Sequence, residues 1–185
     1  MGRRFSAFES AIRSQGDRIP LPFTDTISVR GGKGTPMNAR YVHTNLVARD
    51  WRALAAFYQR VFGCRVVPPE RDYRGPALDS GTGLDGAHLT GVHLRLPGCG
   101  ESGPTLEIFS YDALPEKPPA AVNRPGFGHI GFETGDVGEA RTEVLANGGQ
   151  AVGEVVSLTT SAGSRVTWCY VTDPEGNVIE LQKWG

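Results

Sequence analysis

Apolar and polar positions alternate along this chain in a way that predicts one arrangement of a helix and strands, followed by a second copy. In the first copy, apolar residues recur at helical spacing after a good N-cap residue, and strand-like runs follow the helix. The predicted elements are a strand from Tyr41 to Val47, a helix capped by Asp50 and ended by Gly63, a strand from about Cys64, a glycine-rich stretch at 75–86, and strands near 87–96 and 104–111.

The second copy repeats that order about ninety residues later. Its predicted elements are a strand from Phe127, a helix capped by Asp136 and stopped at Gly148-Gly149, and strands near 151–158, 164–172 and 177–183. Each copy is therefore one βαβββ module, and self-similarity of this kind indicates a duplicated fold. The prediction is an α+β protein in which paired βαβββ modules curve together into a cup.

Composition changes at the ends of these modules and sets the predicted domains. The first residues are rich in Arg, Gly, Pro and Ser, although Phe5, Phe8 and Ile12 have the spacing of a short helix. Four prolines between Pro115 and Pro125 favour an ordered linker. We expect an N-terminal extension at 1–36, a first module at 37–114, a linker at 115–126 and a second module at 127–185.

Charge and cysteine content exclude several classes of protein. The 185 residues carry 19 Lys and Arg against 20 Asp and Glu, a net charge of -1, without a basic run that would attract nucleic acid. The three cysteines are scattered, which favours neither a disulfide framework nor a thiolate zinc site and fits a reducing cytoplasm. No apolar run reaches the roughly 20 residues of a membrane-spanning helix, so we expect no membrane partner.

The repeat places chemically active residues at matching positions. A histidine stands early in the first strand of each module and a glutamate late in its last strand, and these residues are His43, Glu107, His129 and Glu180. Residues two apart share a strand face, so the apolar neighbours of each would cover the helices while all four face the concave side. Singly, a strand histidine is more often structural and a strand glutamate is usually solvated. Four at matching positions predict a metal site instead.

Two imidazoles and two carboxylates suit one divalent transition metal, Zn, Ni, Co, Fe or Mn. The sequence does not identify the ion. It also leaves open whether the cup closes within one chain or across a homodimer.

The arrangement resembles the vicinal oxygen chelate superfamily, also called the glyoxalase, bleomycin-resistance and extradiol-dioxygenase superfamily, over residues 40–184. The landmarks are His43-Thr44, Phe57-Tyr58, Phe62-Gly63, Leu106-Glu107, Gly128-His129-Ile130, Asp173-Pro174-Glu175-Gly176-Asn177 and Ile179-Glu180-Leu181. The resemblance implies a glyoxalase-like fold, a metal-holding cup, a small-molecule substrate and, commonly, a homodimer.

Within that superfamily, the order His, Glu, His, Glu is similar to the metal set of bacterial glyoxalase I, a lactoylglutathione lyase. The implied reaction is a lyase or isomerase step in which a proton is transferred through a metal-bound enediolate. Glu180 and Glu107 are the candidate catalytic bases, and we favour Glu180.

The chain departs from bacterial glyoxalase I at two positions that grip glutathione, an arginine and an asparagine, which are here Val47 and Tyr111. Tyr111 is retained as a candidate substrate-binding residue. Arg124 and Arg165 are candidates for holding a substrate carboxylate. His93 shares a strand face with Arg95, and we expect it to lie outside the cup.

Three alternatives stay open. An extradiol-type dioxygenase would use two histidines and one carboxylate, so that Glu107 would be a surplus ligand. An epimerase acting beside a thioester usually carries glutamine where Glu107 stands. A non-enzymatic binding protein of the bleomycin-resistance type would need no metal ligands.

Overall fold

The structure, a computed structural model, describes residues 38–185, so the predicted helix around Phe5, Phe8 and Ile12 lies outside the described residues. The elements of the first half are β1 (His43–Val47), α1 (Trp51–Phe62), β2 (Arg65–Arg74), α2 (Pro76–Thr82), β3 (His88–Arg95) and β4 (Thr105–Tyr111). Those of the second half are β5 (Ile130–Glu133), α3 (Val137–Ala146), β6 (Gln150–Ala151), β7 (Val156–Thr159), β8 (Arg165–Thr172) and β9 (Val178–Trp184).

The helix boundaries follow from the capping residues that the sequence supplies. Asp50 accepts a hydrogen bond from the backbone N–H of Ala53, and Asp136 accepts one from that of Glu139. Each carboxylate thereby satisfies a helix N–H group that has no partner inside the helix. Gly63 ends α1 in the left-handed conformation, with φ 67°, which glycine adopts without steric penalty. The predicted N-caps and the predicted end of α1 are confirmed.

Two predicted segments were wrong in detail. The glycine-rich stretch at 75–86 contains α2, which starts at a proline in its first turn, a position where the missing N–H is harmless. The strand predicted at 151–158 is divided into β6 and β7. Between them the N–H groups of Val152 and Gly153 both donate to the carbonyl of Tyr170, at 3.2 and 3.3 Å, which interrupts regular pairing.

The two sheets repeat one topology, as the sequence predicts. Their strand orders are β1-β4-β3-β2 and β5-β9-β8-β6, and β7 also pairs with β8. In each sheet the first strand pairs in parallel with the last, β1 with β4 and β5 with β9, whereas the other pairs are antiparallel. Because the order and directions match, corresponding residues of the two halves occupy corresponding places in their sheets.

One apolar core lies between the helices and the inner faces of both sheets. Most residues predicted to cover the helices are buried there, namely Leu106, Ile108, Phe132, Ile179 and Leu181. Leu46 and Ile130 are partly buried, and Val42, before the start of β1, is exposed instead. Burying each large apolar side chain contributes about 1.5–3 kcal/mol. Phe62 of α1 stacks on Phe132 of β5 at 4.0 Å, so α1 joins the two halves through the core.

A polar contact between the halves lies at the turn from β8 to β9. Asp173 is 1% exposed and accepts hydrogen bonds from the Tyr58 hydroxyl at 3.0 Å and from the backbone N–H groups of Glu175 and Asn177. Burial raises the pKa of Asp173 despite these donors. Glu175 in turn accepts from the N–H of Asp50 at the start of α1. The turn therefore fixes α1 against the second sheet.

Tyr58 should make the protein sensitive to alkali. Burial, with the neighbouring charge of Asp173, raises the pKa of Tyr58 well above its ordinary value. The folded state then keeps a proton that the unfolded state releases near pH 10, so stability from this group is present below pH 10 and is lost as pH rises further. We expect Tyr58→Phe to flatten the fall in unfolding free energy between about pH 9 and 11, measured by urea titration.

The matched control is Tyr73→Phe, because Tyr73 is 51% exposed. Burial raises the pKa of Cys64 to about 11, and this contribution stays in both variants. Near neutral pH, Tyr58→Phe should cost about 1 kcal/mol through the lost hydrogen bond to Asp173. Equal alkaline slopes in wild type and Tyr58→Phe would contradict this assignment.

Candidate functional site

The outer face of the first sheet carries the first pair of predicted ligands. Asn45 of β1 and His93 of β3 lie on either side of Glu107 in the register of the sheet, and His43 lies two residues before Asn45. Since directly paired residues share a face, these side chains all point away from the core residues Leu106 and Ile108.

Three polar side chains surround the carboxylate of Glu107. His43 Nδ1 lies 3.3 Å and His93 Nε2 lies 3.0 Å from the same atom, Glu107 Oε1. Asn45 Nδ2 donates to Oε2 at 3.5 Å. Glu107 is only 8% exposed, so these contacts hold a carboxylate that would otherwise be buried without partners. Its position is therefore well defined.

The second sheet carries the matching pair with fewer contacts. His129, directly before β5, places Nε2 2.7 Å from Glu180 Oε2. Tyr170 of β8 is paired with Glu180 in the register, the place that His93 takes beside Glu107. Burial and the charge of Glu180 raise the pKa of Tyr170, so its hydroxyl stays protonated. The Glu180 side chain is 22% exposed against 11% for Glu107, and it is less restrained.

The structure therefore forms two separate pairs, His43 with Glu107 and His129 with Glu180. Across residues 38–185, no three or more His, Cys, Asp or Glu side chains are arranged to hold a metal ion. The four predicted ligands do not meet within one chain as it stands. For all four to share one ion, as predicted, the chain would have to assemble with a second copy.

Each pair nevertheless fits neighbouring positions on a divalent ion. Metal bonds of about 2.1 Å at a right angle would place a ligand nitrogen and a ligand oxygen about 3 Å apart. The observed separations of 3.3 and 2.7 Å bracket that value. Imidazole with carboxylate is also a donor set that first-row transition metals accept. The residues present therefore fit such an ion.

The three predicted substrate-binding residues are not placed together. Tyr111 lies on the same sheet face as Glu107, four residues further along β4. Arg124 lines a groove of about 260 Å³ that also contains Asn45, Phe127 and His129. Arg165 alternates with Val166 and faces the α3 side, where it lines a different cavity with Asp136. Its side chain is thus on the opposite face of the sheet from Glu180.

His93 is the residue that the expectation from sequence missed. We expected it outside the cup, but it contacts Glu107. Burial lowers the pKa of His93 and outweighs the charge of Glu107, which acts in the opposite direction, while Arg71 and His43 add to the lowering. Only the pairing of β3 with β4 reveals the contact, because strand alternation alone does not say which face of β3 is turned outward.

The sequence model of the Glyoxalase/Bleomycin resistance protein/Dioxygenase superfamily matches residues 40–181. No curated protein matches the chain significantly.

Solved structures show the same fold. A glyoxalase family protein from Bacillus cereus superposes with a TM-score of 0.62 at 20% identity, covering 83% of this chain and 98% of its own. A glyoxalase I variant from Zea mays gives 0.53 at 16% identity, over 77% of this chain and 45% of its own. A lactoylglutathione lyase from Agrobacterium tumefaciens is 27% identical over 78% of this chain and 93% of its own, but its TM-score of 0.42 supports no inference. No helix within residues 38–185 has the length and apolarity to cross a membrane.

Gly91 is required for the packing of side chains on the outer face of the first sheet. A Cβ atom at Gly91 would overlap the backbone oxygen of Ile108 and the ring of Phe109, which lies beside His93. A backbone oxygen cannot be moved by a change of rotamer. We expect Gly91→Ala to lower the free energy of unfolding by about 1–3 kcal/mol, measured by urea denaturation. Gly131→Ala is the control, because Gly131 pairs with Glu180 and its Cβ would meet open space. Equal losses in the two variants would contradict the packing argument.

Proposed function

Because the chain belongs to the glyoxalase, bleomycin resistance protein and dioxygenase superfamily, we propose that it is a divalent-metal-dependent lyase or isomerase that acts by proton transfer beside a substrate carbonyl. The metal ligands proposed are His43, Glu107, His129 and Glu180. Its substrate is a small molecule, and two chains form the working unit.

One observation carries this proposal. In both halves a histidine at the start of the first strand contacts the glutamate of the last strand, at 3.3 and 2.7 Å, on the face turned away from the core. A structural role would require only one such pair, or pairs at unrelated positions. The same residue types at the same register in two sheets favour a shared ligand set.

The two carboxylates are suited to different tasks. A divalent ion, when bound, would polarise two adjacent substrate oxygens and make the neighbouring C–H more acidic. Glu107 is held by His43, His93 and Asn45 and is nearly buried, which suits a fixed ligand. Glu180 has one close partner and more exposure, so its carboxylate is the freer to take the proton. We therefore assign Glu180 as the base.

Separation of the two ligand pairs supports closure of the cup across a homodimer. Two protein ligands in one module leave an ion with an incomplete set, which the other module of a partner copy would complete. The outer faces also expose large apolar side chains, including Tyr73 at 51% and Trp184 at 47%. Burial against a second copy would remove this surface from water.

The glutathione part of the lactoylglutathione lyase reaction has less support than the proton transfer. Val47 and Tyr111 stand where polar groups would grip the peptide, and both lie on the outer face of the first sheet. We therefore propose the reaction type of that enzyme, with a different group attached to the reacting carbonyl.

Hybrid dimers test the shared site. One variant carries His43→Ala with Glu107→Ala, and the other carries His129→Ala with Glu180→Ala. Each alone should bind no stoichiometric cobalt(II) in an equilibrium titration. If each site is built by two chains, mixing the two variants after reversible dissociation should restore cobalt binding to about a quarter of the wild-type number of sites. About half of the dimers are then hybrids, and each hybrid has one intact site out of two.

Failure of mixing to restore cobalt binding, with hybrids verified by mass spectrometry, would reject closure across the dimer. If neither double variant loses the ion, the ligand assignment itself is wrong. If metal-free wild-type protein takes up no cobalt, a non-enzymatic binding protein would explain the fold better than a metal-dependent enzyme.

The base is tested by comparing Glu180→Gln with Glu107→Gln in the metal-loaded protein. We expect Glu180→Gln to lower kcat by at least about 100-fold, in a screen of hemithioacetals and 2-methyl acyl thioesters. Glu107→Gln should mainly weaken cobalt affinity. Solvent deuterium exchange into the substrate measures the proton step directly. Exchange at the wild-type rate in Glu180→Gln would exclude this residue as the base.

A further inference from the structure

Two arginines flank His93 on the outer face of the first sheet. Arg95 lies two residues beyond His93 on β3. Arg71 of β2 pairs with Gly91, which lies two residues before His93. Residues at these positions share a face, so both guanidinium groups belong to the side that carries His43 and Glu107.

Neither of these arginines forms an ion pair with a carboxylate among the described residues. Three other arginines, on the same sheet and on the helix packed against it, each form one. Arg52 pairs with Glu70 at 2.7 Å, Arg65 with Glu101 at 2.6 Å, and Arg74 with Asp72 at 3.4 Å. Arg71 and Arg95 instead each donate to one backbone carbonyl, those of Pro69 and Gly103. A carbonyl accepts a hydrogen bond but carries no net charge, so neither arginine has a directly paired carboxylate, although the charge of Glu101 acts on Arg95 from a distance.

The lack of a paired carboxylate matters because both arginines are partly buried. Arg71 and Arg95 are half-buried, whereas Arg52, Arg65 and Arg74 are exposed. The Nε atom of Arg95 is buried and has no hydrogen-bond partner. Each guanidinium has five N–H donors and makes one hydrogen bond within residues 38–185. A partly desolvated cation with free donors is stabilised by an anion that fits its planar edge.

The arginines are also close enough to act on the candidate site. Arg71 is paired with Gly91, two residues before His93 on the same face, and Arg95 lies two residues beyond His93. His93 Nε2 is in turn 3.0 Å from Glu107 Oε1. An anion held by Arg71 would therefore lie next to the proposed metal ligands, with its remaining atoms extending towards Glu107.

We propose that Arg71 and Arg95 form an anion-binding subsite and that the substrate carries a carboxylate in addition to its reacting carbonyl. The carboxylate is chosen because its two oxygens match the guanidinium edge in a bidentate geometry. The assignment of this anion to the substrate rests on the proposed function, whereas the subsite itself does not.

Binding of propionate to metal-free protein tests the subsite without any turnover. Arginine Nε–H signals in ¹H–¹⁵N spectra report on the guanidinium groups directly, and propionamide is the neutral analogue of the same shape. We expect propionate, and not propionamide, to shift the Arg95 Nε–H signal. Arg71→Gln and Arg95→Gln should each weaken propionate binding at least about tenfold. The control Arg74→Gln, on the opposite face of β2 and paired with Asp72, should bind as wild type does.

Unchanged propionate binding in Arg71→Gln and Arg95→Gln would overturn the proposal, as would equal binding of propionamide. Inorganic phosphate that competes with higher affinity than propionate would overturn the choice of carboxylate. With a carboxylate-bearing substrate from the screen, Arg71→Gln should raise KM and leave kcat nearly unchanged.

The two proposals fail separately. If cobalt binding is absent but propionate binds as expected, the subsite stands and the metal-dependent reaction does not. If cobalt and proton exchange behave as expected but propionate does not bind, only the subsite is wrong.

Discussion

Parallel pairing of the first strand with the last strand in each half is the constraint on which the site depends. That pairing sets Asn45 beside Glu107 and Gly131 beside Glu180, so a histidine two residues before each partner lies at the edge of the same carboxylate. A slip of one residue would turn the glutamate into the core and bring its apolar neighbours to the surface. Burial of Leu106, Ile108, Ile179 and Leu181 therefore fixes the position of the chemistry.

The repeat is symmetric in its backbone but not in its electrostatics. At corresponding places, the first sheet has His93 and the second has Tyr170. His93 contacts Glu107 directly, whereas Tyr170 stays protonated near Glu180 because burial and that carboxylate raise its pKa. Duplication thus supplies two similar carboxylates, and their neighbours make one of them fixed and the other free. Such a difference is what a ligand and a base require of the same residue type.

Much of this could be predicted because it depends on local rules. Asp50, Gly63 and Asp136 act on the few residues next to them, and alternation of apolar residues names the buried face of β4 and β9. The contact of His93 with Glu107 could not be predicted, since it depends on which strand lies beside β4.

The pairing of Arg71 could not be predicted from the sequence either. Between Val67 and Arg71, β2 advances four residues while β3 advances two, from His93 to Gly91. Arg71 lies on the same face as Val67, as an even spacing requires, but simple alternation does not indicate where the two extra residues are absorbed and so does not place Arg71 beside Gly91. Separation of the two ligand pairs likewise depends on how the two halves pack. The apolar pattern of a single strand does not predict that packing.

Charge balance links the proposed reaction to the proposed subsite. A divalent ion with Glu107 and Glu180 would form a neutral set, and the two neutral imidazoles would not change it. Arg71 and Arg95 then add two positive charges without a paired carboxylate on the outer face of the first sheet. A substrate carboxylate would neutralise one of them on binding. Proton transfer to Glu180 moves a negative charge from that carboxylate to the substrate, so the net charge of the site does not change. A divalent ion, when bound, would stabilise the charge that develops beside the carbonyl, and the arginines would favour binding of the carboxylate-bearing substrate.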